Sequence, residues 1–237
     1  MKGPRSHPNP LLRRRALPAG ADRNLWYRCI RRILQVGMCA GWKVRVLNRH
    51  YEPPRGGAVY VANHQSFLDP ILMSFALRRP MSYMAREDLF GVPVFGSLIR
   101  SLNAFPVRRE TADTAALKEA MRRLRAGRQV VVFAEGTRTP DGRIGALLPG
   151  VVLLAQRAAE WTVPVVIDGA FEAWPRSKRL PRPGSIVVQY APPIPQSEAR
   201  KLDAAELMAR IRGSLIAMQT DIRLRLRRPV LHYDRQQ

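Results

Sequence analysis

The chain has 237 residues, 46% of them hydrophobic, which is enough for one large domain and too apolar for a globally disordered chain. Its two cysteines, Cys29 and Cys39, exclude a disulfide framework and lack the spacing of a zinc site. Forty Lys and Arg against eighteen Asp and Glu give a net charge of +22, which calls for a polyanionic partner: nucleic acid, an anionic membrane or a phosphorylated substrate.

The charge is concentrated at the front. Residues 1–50 hold 12 basic residues and one acidic, a net +11, against +7 over 51–200 and +4 over 201–237. Residues 1–22 contain four prolines and two glycines and read as a tail. That opening has no apolar core of the kind a secretory signal needs, and no run of apolar residues anywhere is long enough to cross a bilayer as a helix. From Asn24 the spacing predicts a helix whose polar stripe is Arg28, Arg31, Arg32 and Gln35. Its other positions are bulky and apolar: Leu25, Trp26, Tyr27, Ile30, Ile33, Leu34, Val36 and Met38. Two readings stand for such a helix. It lies in a bilayer interface, or it packs on its own domain as an ordinary amphipathic helix.

After the Pro53–Gly57 break the pattern becomes α/β. The runs 57–62, 128–134, 161–170 and 185–191 are short, β-branched and continuous, as buried strands are. Helices are predicted over Pro70–Leu77, over Thr114–Ala126 closed by Gly127, and over Val151–Ala159. Over 204–228 the stripe Leu207, Ile211, Leu215, Met218 and Ile222 predicts a further helix with a core-facing side and a basic end at Arg223 to Arg228. The expected fold is therefore α/β, a mixed sheet flanked by helices. A basic amphipathic helical arm over 1–50 precedes a domain over 51–237.

Three constellations could carry chemistry. In NHQSFLDP (63–70), His64 follows a strand directly and so sits at its carboxyl end, where α/β sheets bind ligands. A tight loop could return the Asp69 carboxylate to the imidazole, giving a general base whose tautomer is fixed. Alternatively, Asp69 before Pro70 is only a helix N-cap, and His64 is a loop histidine without a chemical role. No G-x-S-x-G elbow occurs and neither cysteine is near in sequence, so an alcohol supplied by the substrate is the natural nucleophile. No metal is expected, because the other histidines are peripheral. The second constellation is VVFAEGTRTPDGR (131–143). There Gly136 permits close backbone approach, Thr137 offers a hydroxyl, and Arg138 offers a bidentate phosphate donor. Glu135 would repel a phosphate, so it orients an arginine or accepts a bond from a substrate hydroxyl. An ordinary surface turn with an internal Glu–Arg pair is the alternative. The third is LNAFPVRRE (102–110), ending in Arg108 and Arg109, a pair that is often no more than a solvated face.

Together these resemble the 1-acylglycerol-3-phosphate (lysophosphatidic acid) acyltransferase family of glycerolipid acyltransferases. NHQSFLD matches its N-H-x-x-x-x-D signature, and EGTR matches its F-P-E-G-T-R block. AREDLFGVPVFGSLIRSLNAFPVRR is similar to the middle block, and VPVVIDGAFEAWPR to the fourth, a strand with an internal proline, here Pro164. The resemblance covers about residues 50–195. It implies that His64 is the base and Asp69 its partner, and that Arg109, Glu135, Gly136, Thr137 and Arg138 hold the glycerol phosphate. The implied reaction moves an acyl chain from acyl-CoA or an acyl carrier protein thioester, the co-substrate, to the hydroxyl of a lysophospholipid acceptor, with no cofactor. The implied setting is the cytoplasmic face of an anionic membrane, peripheral or monotopic, with no nucleic acid as partner. Other lysolipids or glycerol 3-phosphate remain open as acceptors, and so does a non-catalytic basic module binding membrane or nucleic acid. Three residues depart from the family pattern. Ala134 replaces a proline and is expected to loosen the backbone entering the Glu-Gly turn, Asn103 stands where glycine is common, and GALLPG lacks the usual Phe-Lys.

Overall fold

Alternation along the strands explains how the layers assemble. In Ala58–Ala62, residues Val59 and Val61 enter one apolar cluster while Ala58, Tyr60 and Ala62 enter another, so both faces of that strand are covered. The structure, a computed structural model, describes residues 25–74, 77–108 and 113–233.

The strands in chain order are β1 (Trp42–Leu47), β2 (Ala58–Ala62), β3 (Met81–Arg86), β4 (Ala104–Val107), β5 (Gln129–Phe133), β6 (Trp161–Asp168), β7 (Gly184–Tyr190) and β8 (Ile194–Pro195). The helices are α1 (Leu25–Gly41), α2 (Asp69–Ser74), α3 (Phe95–Ser101), α4 (Thr114–Arg125), α5 (Gly150–Arg157), α6 (Ala170–Ala173), α7 (Gln196–Ala199) and α8 (Ala204–Arg225). The sheet runs β1-β7-β6-β2-β5-β3-β4, with β8 paired to β6. From β6 to β4 the strands are parallel; β7 is antiparallel to β6 and parallel to β1. The sheet is mixed, as expected.

Leu207, Ile211, Leu215, Met218 and Ile222 of α8 are all buried in the cluster shared with α4 and α5. Asp203 and Glu206 form a reciprocal capping box that starts this helix. At the end of α4, Gly127 has φ +73, the left-handed position expected after that helix.

Four strands escape the reading by apolar runs, β8 because it is only two residues long and the others for separate reasons. In β1 (WKVRVL) the basic Lys43 and Arg45 interrupt the apolar run, so the segment reads as part of the basic arm. It nonetheless pairs with β7 from Trp42↔Gly184 to Leu47↔Gln189, and the sheet thus begins ahead of the boundary expected at residue 50. β3 has only two fully buried positions. β4 is a four-residue edge strand and contains Pro106, a residue that edges tolerate.

A second proline, Pro164, lies inside the central strand β6. β8 pairs with that side of β6 at Trp161 and Thr162, and β7 pairs with it from Val165 onward. The Pro164 carbonyl accepts a bond from Ala191 N at 2.9 Å, and its missing N–H falls at the seam between the two partners.

Helix α1 packs on its own domain along one face and leaves another face open. Tyr27 and Met38 are buried against the domain, and Arg31, from the polar stripe, turns inward to donate to Leu77 O at 2.6 Å. At about 100° per residue, Leu25, Trp26, Cys29, Ile33 and Val36 share a different face. That face stays open: Trp26 is 52% exposed, Val36 62%, Ile33 65% and Leu25 70%.

Candidate active site

β2 and β5 are parallel neighbours with Ala62 opposite Phe133, so the segments that follow them leave the same carboxyl edge of the sheet side by side. This brings NHQSFLD and EGTR together. Asn63 acts as an extension of β2: its side-chain amide donates to Ile167 O at 2.9 Å and accepts from Ile167 N at 2.8 Å. The chain then turns. His64 Nδ1 lies 2.7 Å from Asp69 Oδ2, with Asp69 fully buried and His64 only 6% exposed. The imidazole stacks on Phe133, the ring centroids 4.2 Å apart and 17° from coplanar.

Asp69 does not act as the helix N-cap expected of an Asp–Pro pair. It lies in the first turn of α2, and its carboxylate points back along the chain, where Oδ2 also accepts from Gln65 N at 2.6 Å and Ser66 N at 2.7 Å. A carboxylate fixed by two main-chain donors presents its oxygen to one imidazole nitrogen, so the tautomer with the proton on Nδ1 is favoured and Nε2 is left as the basic atom. Ser66 serves the turn, its Oγ accepting from Leu68 N at 3.2 Å and donating to Trp174 O at 2.8 Å.

Glu135 is turned toward the main chain. Its Oε1 accepts from His64 N at 3.0 Å and its Oε2 from Gly145 N at 3.0 Å, so the carboxylate braces the histidine loop. Burial pushes this carboxyl above its ordinary range. The two main-chain donors pull it back, and the nearby Asp69 and Asp141 add to the rise. Gly136 has φ +70, a left-handed conformation that favours glycine, and the flexible end of the exposed Leu148 side chain lies beside it. Thr137 is exposed. The Arg138 guanidinium lies 3.6 Å from the centroid of the Phe67 ring, which in turn meets Trp174 at 5.3 Å. The Glu135–Arg138 pair of the surface-turn alternative is not what holds either residue.

Arg109 lies outside the described residues. Its neighbour Arg108 pairs with Glu87 at 2.7 Å and takes the Asp113 carboxylate on its main-chain N–H at 2.7 Å. Two departures from the family pattern find a physical reason. Ala134 does not loosen the turn, because its N–H donates to Ala62 O at 2.9 Å, a bond proline could not make. Asn103 has φ +67, a left-handed position that asparagine tolerates as glycine does.

Sequence reasoning passed over the buried polar groups behind the loop. Gln65 is fully buried, its Nε2 donating to Gly142 O at 3.0 Å and its Oε1 accepting from Phe171 N at 3.2 Å. Asp168, at the end of β6, holds Arg223 at 2.7 Å and Arg228 at 2.6 Å, so two arginines of the basic C-terminal end face inward. An aspartate closing an apolar strand was the available signal.

The model of the acyltransferase family matches residues 43–168, more than half of the chain. The chain belongs to the acyltransferase family. It is 32% identical over 145 residues to a chloroplastic 1-acyl-sn-glycerol-3-phosphate acyltransferase of Arabidopsis thaliana, covering 60% of this chain and 40% of the relative. An enzyme of the same name from Chlamydomonas reinhardtii is 29% identical over 192 residues, 76% of this chain and 58% of that one. The Bacillus subtilis protein of that name is 28% identical over 173 residues, 73% and 84% of the two chains. The chain thus spans about half the length of the plant and algal relatives it matches. In fold it is similar to the 1-acyl-sn-glycerophosphate acyltransferase of Thermotoga maritima, with a TM-score of 0.72 at 23% identity over 83% of this chain and 79% of that one.

Proposed function

We propose that this protein is a membrane-associated O-acyltransferase that transfers a fatty acyl chain from a thioester to the free hydroxyl of 1-acylglycerol 3-phosphate, yielding phosphatidic acid. The observation that carries this reading is the 2.7 Å contact between His64 Nδ1 and an Asp69 oxygen that two main-chain N–H groups hold in place. His64 Nε2 takes the proton of the acceptor hydroxyl as its oxygen attacks the thioester carbonyl. The tetrahedral adduct collapses, the C–S bond breaks, and the imidazolium returns its proton to the departing thiolate of CoA or of an acyl carrier protein. The base is regenerated in each turnover, so neither a metal nor an acyl-enzyme is required. Arg138, held over Phe67 three residues after His64, is suited to bind the acceptor phosphate, and Arg109 is assigned the same task by its motif alone.

The membrane part of the reading is supported by α1. Among the described residues no helix is long and apolar enough to cross a membrane, but the open face of α1 is apolar and bordered by Arg28 and Arg32. Trp26 Nε1 donates to Ser101 Oγ at 2.9 Å and so joins this face to α3, next to the exposed Val92, Val94 and Phe95. Basic residues at an anionic leaflet contribute about 1 kcal/mol each, and apolar insertion supplies the rest. As part of the same proposal, this surface meets an anionic leaflet on the cytoplasmic side.

The test is mass spectrometry of lipids after incubating the protein with oleoyl-CoA and lysophosphatidic acid on anionic vesicles. New phosphatidic acid is the expected product. If neither lysophosphatidic acid nor glycerol 3-phosphate nor any other lysolipid is acylated, the acyltransferase reading fails. Acylation of one of the others alone would keep the enzyme and replace the acceptor.

A further inference from the structure

The turn over residues 139–145 touches the histidine loop at three points. Thr139 N donates to His64 O at 2.8 Å, Gly142 O accepts from Gln65 Nε2 at 3.0 Å, and Gly145 N meets Glu135, which also holds His64 N. Gly142 has φ +88 and the Phe171 ring stands 3.4 Å from where a Cβ would be, so the turn is seated closely on that side.

The other side of the same turn is gripped by the C-terminal part of the chain. Gln219 of α8, 1% exposed, donates through Nε2 to the same Gly142 carbonyl at 3.0 Å. The Tyr233 hydroxyl accepts from Ile144 N at 3.1 Å and donates to Gln219 Oε1. Arg212 of α8 reaches Gly145 O at 3.1 Å and Ile144 O at 3.3 Å, with its guanidinium 5.9 Å from the Tyr233 ring centroid. Near Gln219, Arg223 anchors α8 to Asp168 at 2.7 Å. One carbonyl, Gly142 O, therefore takes a donor from the residue beside the base and a donor from α8. The family match ends at residue 168, so none of Arg212, Gln219 and Tyr233 belongs to it.

We infer that Tyr233 and Gln219 are positioning residues that fix the 139–145 turn, and through it set the orientation of the His64 loop. The NH2 of Gln219 points at Gly142 O and lies 3.4 Å from Asp168 Oδ1, and the Tyr233 hydroxyl closes the network by donating to the amide oxygen. Without that hydroxyl Gln219 Oε1 loses its donor, Ile144 N loses its acceptor, and the turn gains freedom on the side facing Gln65. A base displaced by a fraction of an ångström loses rate in the chemical step while substrate binding is kept.

In its catalytic form the inference rests on the acyl-transfer reading of His64, and the experiment separates the two. The full chain carrying Tyr233→Phe, Gln219→Met or both is compared with the wild type and with His232→Ala, an exposed neighbour. The readouts are kcat, both KM values, Tm, and the ¹⁵N resonances of the His64 imidazole. The expected result is a kcat about tenfold lower in Tyr233→Phe, with KM unchanged, a shifted His64 resonance, and a double variant no worse than the weaker single. A kcat within twofold of wild type in Tyr233→Phe, a loss that appears in KM instead, or strictly additive losses would overturn the inference. If the wild type acylates nothing, the acyl-transfer reading is what fails. The His64 resonances then decide: a shift in Tyr233→Phe upholds the positioning role, and identical spectra reject it.

Discussion

The two edges of the central sheet both hold charged groups away from solvent, with opposite consequences. At the carboxyl edge Asp69 and Glu135 are held by main-chain N–H groups of the loops leaving β2 and β5, and Asp168 pairs with the buried Arg223. At the amino edge the buried group is Arg79, donating to Pro53 O at 3.0 Å, Gly56 O at 2.8 Å and Gly127 O, while Glu52 accepts from Arg78 N, Arg79 N and Gln129 Nε2. The loops that leave β2 and β5 turn N–H groups toward the carboxylates, and the loops that enter the same two strands turn carbonyls toward Arg79. Arg79 binds three fixed carbonyls and so closes loops. The carboxyl edge leaves one imidazole nitrogen with no main-chain commitment. A buried charge does chemistry only where its network ends on a group that can still exchange a proton.

That contrast can be broken by exchanging effects between the edges. The largest expected effect is at His64. His64→Ala should abolish acyl transfer, and Asp69→Asn should lower kcat by about 10³–10⁴ by analogy with a serine-protease triad, in both cases with Tm nearly kept. Product formation and thermal melts check this, and near-normal turnover in either variant removes the dyad. Arg79→Ala should do the reverse. Loss of three charge-assisted bonds should cost on the order of 3 kcal/mol, lowering Tm by roughly 6–12 °C, while kcat per folded molecule stays the same. A fall in kcat without a fall in Tm would contradict the division of roles.

Glu135→Gln tests the boundary between the two behaviours. Glutamine has one carbonyl oxygen where two carboxylate oxygens served, so one main-chain N–H loses its acceptor. The expected outcome is a kcat lower by about tenfold, equivalent to 1.4 kcal/mol. Because the folded-state value of Glu135 is raised, its favourable contribution is complete below the ordinary value of 4.5 and is lost as pH rises through the raised one. Denaturant titrations should show that pH-dependent loss in the wild type and its absence in the variant. The smallest effect belongs to a cluster outside both edges. Arg122 and Arg123 hold the Glu119 carboxyl down to about 2. Its contribution is present above the ordinary 4.5 and lost as pH falls toward 2, so Glu119→Gln should flatten stability in that window. The change should be below about 1 kcal/mol, since the pair is partly exposed.

Apolar periodicity made the central strands and α8 legible, because groups buried on both faces or along one stripe must be apolar in sequence. It could not reveal β1, whose run is interrupted by basic residues, β3, with only two fully buried positions, β4, a short edge strand, or the two-residue β8. The site was legible to the extent that its chemistry is local: His64 and Asp69 are five residues apart and meet within one turn. Glu135 was found as a residue, but its direction was not, because its partners His64 N and Gly145 N are main-chain atoms that no side-chain pattern encodes. Gln65, Gln219 and Tyr233 were invisible for a related reason. Their contacts to Gly142 and Ile144 span 77 and 89 residues, and glutamine or tyrosine carries no signature of being a strut.

The pairing of Trp42 with Gly184 also has a temporal meaning. At about 5–20 residues per second of synthesis, the partner strand of β1 is completed on the order of 10 s after β1 itself. Through that interval α1 is already long enough to form a helix, yet the edge of the sheet that will anchor it does not exist. Helix α1 and β1 are thus made before the strand that fixes β1 in the sheet, and the apolar side of α1 meets its surroundings first.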